Sequence, residues 1–302
     1  MIRLVTDSVS SVPPALAAAN GIELVPLSIV HGTEQFVDEG SELDAFYEKL
    51  PGMLDDPVAT TTSLPSQLEF EERFDRIADA GDQLLGVFMG SSLSGTFDCA
   101  LRAARSVAAR HAGFRFRIVD STTCCMDEGL PVLEGAAGVA AGADLDACAR
   151  LVTDAIASSR IVFAPMTLSY LQRGGRIGNA AALVGNLMKI CPVLSVEDGS
   201  IDTLSKARTH KKALRAIREK LADEAGAYGL KDVAVQYVAV RDEAMTWAHE
   251  EIEPMLGRKV PVMPCTSVVG VHVGPAIGVA YCCAKPVPGK LTTDVGELVF
   301  AS

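Results

Sequence analysis

The chain has 302 residues, of which 49% are hydrophobic and 22% charged, and its net charge at pH 7 is −11. This length favours two domains over one. The basic segment 160–220 of this acidic chain has no recognised nucleic-acid-binding motif, which argues against nucleic acid as a partner. Only 5% of the residues are aromatic, so the interior is aliphatic. Composition leaves open whether this apolar sequence forms only a core or also lines a ligand cavity.

The eight cysteines argue against a secreted, disulfide-bonded protein. None forms a C-x-x-C pair, and two pairs are adjacent in sequence, Cys124-Cys125 and Cys282-Cys283. We therefore expect reduced, buried thiols and neither a metal site nor a cofactor. The first residues enter a strand at once and do not resemble a signal peptide, so we expect a cytoplasmic protein.

The first half of the chain alternates short apolar strands with helical patterns. The predicted strands cover residues 2–6, 23–30, 84–89 and 116–119. The predicted helices begin near Pro13 and cover 43–50, 66–80, the residues after Gly90 up to 109, 130–141 and 145–158. This alternation predicts a parallel sheet with helices on both faces, and ligands of such sheets bind where the strands end.

From residue 160 onward the pattern becomes mixed. Strands are predicted at 160–165, 192–196, 201–208 and 233–240, and helices at 168–176, 180–189, 211–226 and 243–256. The uncharged stretch 260–284 is long enough to span a membrane, but its three prolines and three glycines predict strand, turn and strand, with His272 at the turn. The predicted fold is α/β, with a three-layer parallel α/β/α domain over residues 1–160 and a mixed-sheet α/β domain over residues 161–302.

The turn after the strand at 84–89 reads Gly90-Ser91-Ser92-Leu93-Ser94-Gly95-Thr96. Gly90 and Gly95 have the spacing of a P-loop, but Thr96 stands where a nucleotide-binding loop has lysine. The backbone amides, the hydroxyls and the helix N-terminus would still hold a small anion. The turn therefore predicts a site for a carboxylate or a single phosphate and not for a nucleoside triphosphate.

A second group of hydroxyls, at residues 60–63 and 66, precedes a predicted helix, and N-capping accounts only for Ser66. With it, six motifs resemble the DegV family in order and spacing. They are Thr62-Ser63-x-Pro65-Ser66, Leu93-Ser94-Gly95-Thr96, Asp120-Ser121, Tyr170-Leu171-x-x-Gly174-Gly175-Arg176, Lys206-x-Arg208-x-x-Lys211-Lys212 and His272-x-Gly274-Pro275. The joint pattern covers nearly the whole chain and is far more specific than any single motif.

The resemblance implies the two-domain EDD fold of that family and a long-chain fatty acid, such as palmitate, in a buried tunnel. It implies that the hydroxyls of Thr62 and Ser94 bind the carboxylate, with Ser63, Gly95 and His272 beside them. Members of the family present the bound acyl chain to a separate kinase subunit, which makes acyl phosphate for phospholipid synthesis. The protein itself would then be a carrier and not an enzyme.

Basic residues are concentrated between Arg160 and Lys220, where the net charge is +7. A solvated face is one interpretation, and docking onto the kinase or an anionic membrane is another. Arg173 and Arg176 could gate the tunnel or pair with a phosphate, or they could cap a helix C-terminus. The residues predicted for partner docking are Lys206, Arg208, Lys211 and Lys212.

Several residues depart from the family pattern and leave the preferred chain length open: Leu64, Cys191, Ala276 and Cys124-Cys125-Met126. An enzyme is the main alternative, because Ser94, His272 and the two Asp-Ser turns could form a triad-like hydrolase or acyltransferase site. Ser92 and Thr96 stand where a nucleophile elbow has glycine, which argues against it. A lipid-sensing or scaffold module is a third interpretation.

Overall fold

The structure is a computed structural model that describes residues 1–40, 43–55, 60–290 and 299–301. Its strands are β1 (Ile2–Asp7), β2 (Ile22–Val25), β3 (Ser28–His31), β4 (Glu34–Val37), β5 (Thr60–Ser63), β6 (Gln83–Phe88), β7 (Phe116–Asp120), β8 (Ser159–Pro165), β9 (Cys191–Glu197), β10 (Ser200–Ala207), β11 (Leu230–Val238), β12 (Val262–Pro264), β13 (Ala276–Cys283) and β14 (Val299–Ala301).

The α-helices are α1 (Pro14–Ala19), α2 (Leu43–Asp55), α3 (Gln67–Asp79), α4 (Thr96–Arg110), α5 (Met126–Ala140), α6 (Leu145–Ser158), α7 (Ser169–Arg173), α8 (His210–Tyr228), α9 (Arg241–Trp247), α10 (Glu253–Leu256) and α11 (Ser267–Val273). Ser8–Ser10 and Gly178–Lys189 are 3₁₀-helical, and Ala248–Ile252 forms a π-helical turn between α9 and α10. In the part of the chain that the structure describes, no helix is both long and apolar enough to cross a membrane.

The first half of the chain builds a five-stranded sheet in the order β14-β7-β6-β1-β2. Strands β1, β2, β6 and β7 run parallel, and β14 pairs antiparallel with β7 at the edge. Side chains of alternate residues point to opposite faces of a strand, so Val5 packs with α3 and α4 while Leu4 packs with α5 and α6. The sheet is therefore covered on both faces, and the predicted α/β fold class is confirmed.

The second half builds a mixed six-stranded sheet in the order β10-β9-β8-β13-β11-β12. One face packs against α8 and α9 through residues such as Ile217 and Trp247. The other face, which includes Phe163 and Val238, belongs to the same hydrophobic cluster as Leu4 of the first sheet. A small antiparallel sheet, β4-β3-β5, adds a third set of strands. The apolar interior thus continues from one large sheet to the other.

Several predicted elements differ from the structure. Residues 23–30, predicted as one strand, form β2 in the first sheet and β3 in the small sheet. Pro26 lies between them, and proline has no N–H for a sheet ladder. The 3₁₀ segment Gly178–Lys189 replaces a predicted helix, and α5 begins at Met126, four residues before the predicted start.

The prediction of strand, turn and strand for 260–284 is wrong in its middle. The segment forms β12, α11 and β13, so His272 lies on a short helix and not on a turn. The N-terminus of α11 is bonded by Asp38, which is 229 residues away in sequence. Local sequence cannot reveal such a contact. Residues 299–301, which lie within the predicted second domain, join the first sheet.

Candidate ligand-binding site

Three adjoining cavities lie where the two halves of the chain meet. The head cavity, of about 70 Å³, has a polar wall made of Thr62, Ser94, Arg176 and His272. Its remaining wall is mainly aliphatic, and its volume exceeds that of a single water site several-fold.

An inner cavity of about 50 Å³ shares Cys124, Ile201, Val269 and Val273 with the head cavity. Apart from Gln236 and Tyr237 its lining is apolar or thiol-bearing. An outer cavity of about 230 Å³ lies on the other side and shares Thr62, Arg176 and His272. The polar group of the head cavity therefore stands between an outer cavity and a narrow apolar interior.

Thr62 reaches the head cavity because of the alternation in β5. Thr60 and Thr62 are half-buried, whereas Thr61 and Ser63 are exposed. Thr62 Oγ1 lies 2.8 Å from His272 Nε2. The Ser63 hydroxyl instead donates to the carbonyl of Leu64 at 3.3 Å. Ser63 is thus not brought together with Thr62, Ser94 and His272, and its part in anion binding stays a prediction.

Helix α11, which carries His272, is held from outside its own sequence. Ser267 donates its backbone N–H and its hydroxyl to Asp38 Oδ1, at 3.1 and 2.5 Å. The Tyr47 hydroxyl donates to the carbonyl of Cys265 at 2.7 Å. A Cβ on Gly270 would lie 2.5 Å from the Tyr47 ring, so glycine permits this packing. These contacts fix where His272 stands.

His272 is largely buried, and burial, with a smaller effect of the Arg176 charge, lowers its pKa to about 4. The imidazole is therefore neutral at pH 7. Its Nδ1 is buried and has no hydrogen-bond partner among the described residues. Nδ1 faces Gly174, where a Cβ would lie only 2.4 Å away. The first glycine of the Gly174-Gly175 pair thus makes room for the ring.

Ser94 sits in the turn after β6, where its backbone N–H donates to the Gly90 carbonyl at 3.1 Å. A Cβ on Gly90 would lie 2.8 Å from the backbone of Thr122, so the turn packs too closely for a side chain there. Ser94 Oγ lies 2.8 Å from Oγ1 of the fully buried Thr96. Gly95 is the N-cap of the 15-residue α4, whose positive end favours an anion.

The two Asp-Ser turns stabilise loops and do not reach His272. Asp7 accepts the backbone N–H groups of Val9 and Met89, at 2.9 and 3.0 Å, and burial raises its pKa to about 7. Asp120 Oδ1 accepts from the backbone N–H groups of Ser91 and Thr122.

Among the described residues, no carboxylate bonds to His272, and Ser94 bonds to Thr96 and not to the imidazole. The base-and-orienter geometry of a serine triad is therefore not formed in this part of the chain. Nor does the described part bring three His, Cys, Asp or Glu side chains together around a possible metal position.

The two arginines predicted as a gate line different cavities. Arg176 donates from Nε to the Leu93 carbonyl at 3.3 Å and lines both the head and the outer cavity. Arg173 lines only the outer cavity, donates to the Leu54 carbonyl at 2.7 Å, and lies 5.3 Å from the centre of the Tyr170 ring.

The predicted docking residues lie apart from the cavities, at the end of β10 and the start of α8. All four are exposed and make no ion pair with another described residue: Lys206, Arg208, Lys211 and Lys212. Lys211 and Lys212 occupy the first turn of α8, where the helix dipole disfavours positive charge. Their charges therefore do not stabilise α8.

Sequence reasoning missed Gln236 and Cys265 of the inner cavity, whereas Cys124 and Cys125, which the sequence singled out, do line it. The Sγ atoms of Cys124 and Cys125 lie 3.7 Å apart, and all eight cysteines are free thiols. Hydrogen bonding with Cys125 and burial raise the pKa of Cys124 well above its ordinary value, so this thiol stays protonated at pH 7. A glutamine between apolar residues in a buried strand is the signal that could have drawn attention to Gln236.

Fold and cavities define an α/β protein with two large sheets and an apolar cavity that has a polar end. The chain belongs to the DegV family, whose profile matches residues 1–284. A DegV domain-containing protein of Clostridium perfringens is 33% identical over 286 residues, which are 93% of this chain and 98% of that protein.

Solved structures share the fold. A stearic-acid-binding protein from Eubacterium ventriosum gives a TM-score of 0.84 at 23% identity, covering 94% of this chain and 99% of the other. DegV of Bacillus subtilis, described as a fatty acid binding protein, gives 0.81 at 26% identity, covering 93% and 99%. The predicted family and fold class are confirmed.

Proposed function

We propose that this protein binds a long-chain fatty acid, with the carboxylate at Thr62 and Ser94 and the tail in the inner cavity, and presents it to a partner kinase. The observation that carries the proposal is that a hydroxyl-lined cavity adjoins an apolar one and shares four lining residues with it. The description of the Bacillus subtilis relative as a fatty acid binding protein supports this ligand class.

Each hydroxyl of the polar wall has a hydrogen-bonding partner other than the ligand. With its proton on Nε2, His272 donates to Thr62 Oγ1, and the Thr62 hydroxyl keeps its own proton for the ligand. Thr96 can donate to Ser94 Oγ in the same way. Two hydroxyl protons are then available to one carboxylate. Arg176 and the N-terminus of α4 at Gly95 add positive potential, which offsets the cost of burying the anion.

The tail would supply most of the affinity. Each buried methylene contributes roughly 0.8 kcal/mol, and a long acyl chain has many, although ordering the chain and narrow walls reduce the gain. The hydroxyls would supply orientation, because an unpaired carboxylate is costly to bury. Such a site holds its ligand in one direction, with the carboxylate toward the outer cavity.

The carrier role extends to a partner. Arg173 and Arg176 line the outer cavity, where a phosphate transferred to the carboxylate would need a countercharge. The exposed cations of Lys206, Arg208, Lys211 and Lys212 would face the kinase or, transiently, an anionic membrane. Free thiols throughout suit a reducing, cytoplasmic setting. Phosphoryl transfer would take place in the kinase, so this chain acts without catalysis.

Native mass spectrometry of the recombinant protein tests the ligand. We expect an added mass equal to one fatty acid, loss of that mass after delipidation, and its return when stearic acid is added. A bare protein that takes up no fatty acid would contradict the proposal. The double variant Thr62→Ala, Ser94→Ala should still bind a fatty acid, but with lower affinity. If the wild-type protein hydrolyses esters steadily and Ser94→Ala does not, the protein is an enzyme and the carrier proposal is wrong.

A further inference from the structure

One polar side chain in the wall of the inner cavity has a donor group that finds no partner among the described residues. Gln236 lies on β11 and is 1% exposed. Its neighbours on the same face, Ala234 and Val238, belong to the apolar cluster between the sheets. Its neighbours in sequence, Val235 and Tyr237, belong to the opposite face. Gln236 therefore occupies a position where the strand pattern calls for an apolar side chain.

The orientation of the Gln236 amide is fixed by its first contact. Oε1 accepts the backbone N–H of Met126 at 3.0 Å. If the amide were flipped, its NH₂ group would face the Met126 N–H, and two donors would meet. The atom that faces away from Met126 must therefore be Nε2. Nε2 is buried and has no hydrogen-bond partner among the described residues. The amide thus offers two N–H donors that remain unused.

The surroundings of Nε2 provide no strong acceptor. Tyr237, the other polar residue in the wall of the inner cavity, donates its hydroxyl to Asp44 of α2. The side chains around the amide are aliphatic, aromatic or thiol, among them Ile161, Phe163 and Cys265. Thiol sulfur accepts hydrogen bonds only weakly. A buried donor left in this state costs free energy unless a bound molecule supplies an oxygen.

We propose that the inner cavity recognises an oxygen atom on the acyl chain. Gln236 Nε2 donates a hydrogen bond to a hydroxyl, keto or epoxide oxygen of an oxygenated long-chain fatty acid. The inference rests on the proposed function, because that function brings an acyl tail into the inner cavity. The carboxylate is fixed at Thr62 and Ser94, and the amide is fixed on β11. The two ends therefore measure a set length of chain, and only one oxygen position along it meets the amide.

A positional scan tests the inference on the wild-type protein. Delipidated protein is titrated with stearic acid and with a series of hydroxystearic acids whose hydroxyl moves along the chain, by competition with a fluorescent fatty acid. We expect one isomer to bind at least as tightly as stearic acid. Isomers with the hydroxyl elsewhere in the tail should bind roughly tenfold more weakly or worse, because the hydroxyl is buried unpaired.

Gln236→Leu should abolish the preference for the favoured isomer, which then binds roughly tenfold more weakly, while stearic acid binds as before or tighter. Val238→Ala, two residues along on the same face, is the matched control and should change the affinities of stearic and hydroxystearic acid by the same factor. In both Gln236→Leu and Gln236→Met the Met126 N–H loses its acceptor. Gln236→Met provides a second apolar replacement if the leucine variant does not fold.

The outcomes separate the two proposals. Tight binding of stearic acid with every hydroxy isomer weaker, to the same degree in wild type and Gln236→Leu, would overturn the role of Gln236 and leave fatty acid binding intact. A position preference that survives in Gln236→Leu would do the same. Failure to bind stearic acid and all its hydroxy isomers would overturn the proposed function together with this inference.

Discussion

At the scale of single residues, the site depends on groups that stand behind the ones facing the ligand. Thr62 and Ser94 face the head cavity, and His272 and Thr96 lie next to them at 2.8 Å. With the His272 proton on Nε2 and Thr96 as the donor to Ser94, each contact occupies an oxygen lone pair and leaves the hydroxyl proton free. The orientation of the hydroxyl donors that face the anion therefore depends on His272 and Thr96, which the ligand need not contact.

Thr96→Val should weaken fatty acid binding about two- to tenfold, because Ser94 Oγ loses the Thr96 hydroxyl at 2.8 Å and keeps only the longer contact, at 3.3 Å, with the backbone N–H of residue 96. Thr96→Ser keeps the hydroxyl and should restore the affinity. Dissociation constants for stearic acid measured on the three proteins check this. Equal affinities in the valine and serine variants would show that the contact between residues 94 and 96 has no part in binding.

His272 predicts a pH dependence of folding. Its pKa is lowered to about 4 in the folded protein, while in the unfolded chain it is near 6.5. Between these values the unfolded state binds the extra proton, so the free energy of unfolding should fall by up to about 3 kcal/mol as the pH drops from 7 to 4. Above pH 7 the imidazole contributes no slope.

Urea unfolding of wild type and His272→Gln at several pH values isolates this effect. The raised pKa of Asp7 produces a slope of opposite sign, with stability falling as the pH rises toward 7, but it is common to both proteins. On acidification, wild type should therefore lose more unfolding free energy than His272→Gln does. A difference independent of pH would mean that His272 titrates normally.

At the scale of elements, α11 packs against the turn at Gly174, and the His272 ring fits beside the glycine. Gly174→Ala would place a methyl group 2.4 Å from His272 Nδ1 and push the ring toward the cavity. We expect at least a tenfold loss of fatty acid affinity and a less stable protein. The backbone of Gly174 is helical, with φ at −75°, so alanine causes no strain of its own.

Gly226→Ala is the control for Gly174→Ala. Gly226 lies in α8 and has no atom within 4 Å of the added Cβ. Alanine there should stabilise the protein by about 0.5–1 kcal/mol and leave binding unchanged. Thermal unfolding and stearic acid titration of both variants make the comparison. Unaltered binding in Gly174→Ala would show that the fit between the glycine and the imidazole is not needed.

The sequence predicted the elements that depend on local pattern and missed those fixed by distant contacts. The parallel strands and the turn at Gly90 follow from apolar runs and glycine spacing. Helix α11 does not, since its N-terminus is bonded by Asp38 and its packing depends on Tyr47. Within the site, motifs identified Thr62, Ser94 and His272, which line one cavity. The exposure of Ser63 follows from the alternation in β5, a strand that the sequence analysis did not predict.

At the scale of the whole molecule, charge is separated between regions. The segment from Arg160 to Lys220 carries +7 on a chain of net −11. Lys211→Glu combined with Lys212→Glu should reduce phosphorylation of the bound fatty acid by the kinase of the same organism, by about tenfold at low salt and less at high salt. Fatty acid binding should not change, because neither lysine lines a cavity.

Lys49→Glu combined with Lys285→Glu is the matched control for the lysine pair. Both residues are exposed and lie outside the basic segment, so this variant makes the same change in net charge at another place. Kinase coupling should stay close to wild type in the control. A similar loss in both variants would indicate a general effect of charge, and a loss of fatty acid binding in the Lys211 and Lys212 variant would contradict their assignment to docking.

The pairing of β14 with β7 has a mechanical consequence. The chain crosses from the first sheet to the second between α6 and β8, which adjoin at Ser158 and Ser159 without a linker, and it returns after β13 to add β14 to the first sheet. The first crossing is a single peptide bond, so at Ser158 and Ser159 the two halves that enclose the cavities are joined without slack.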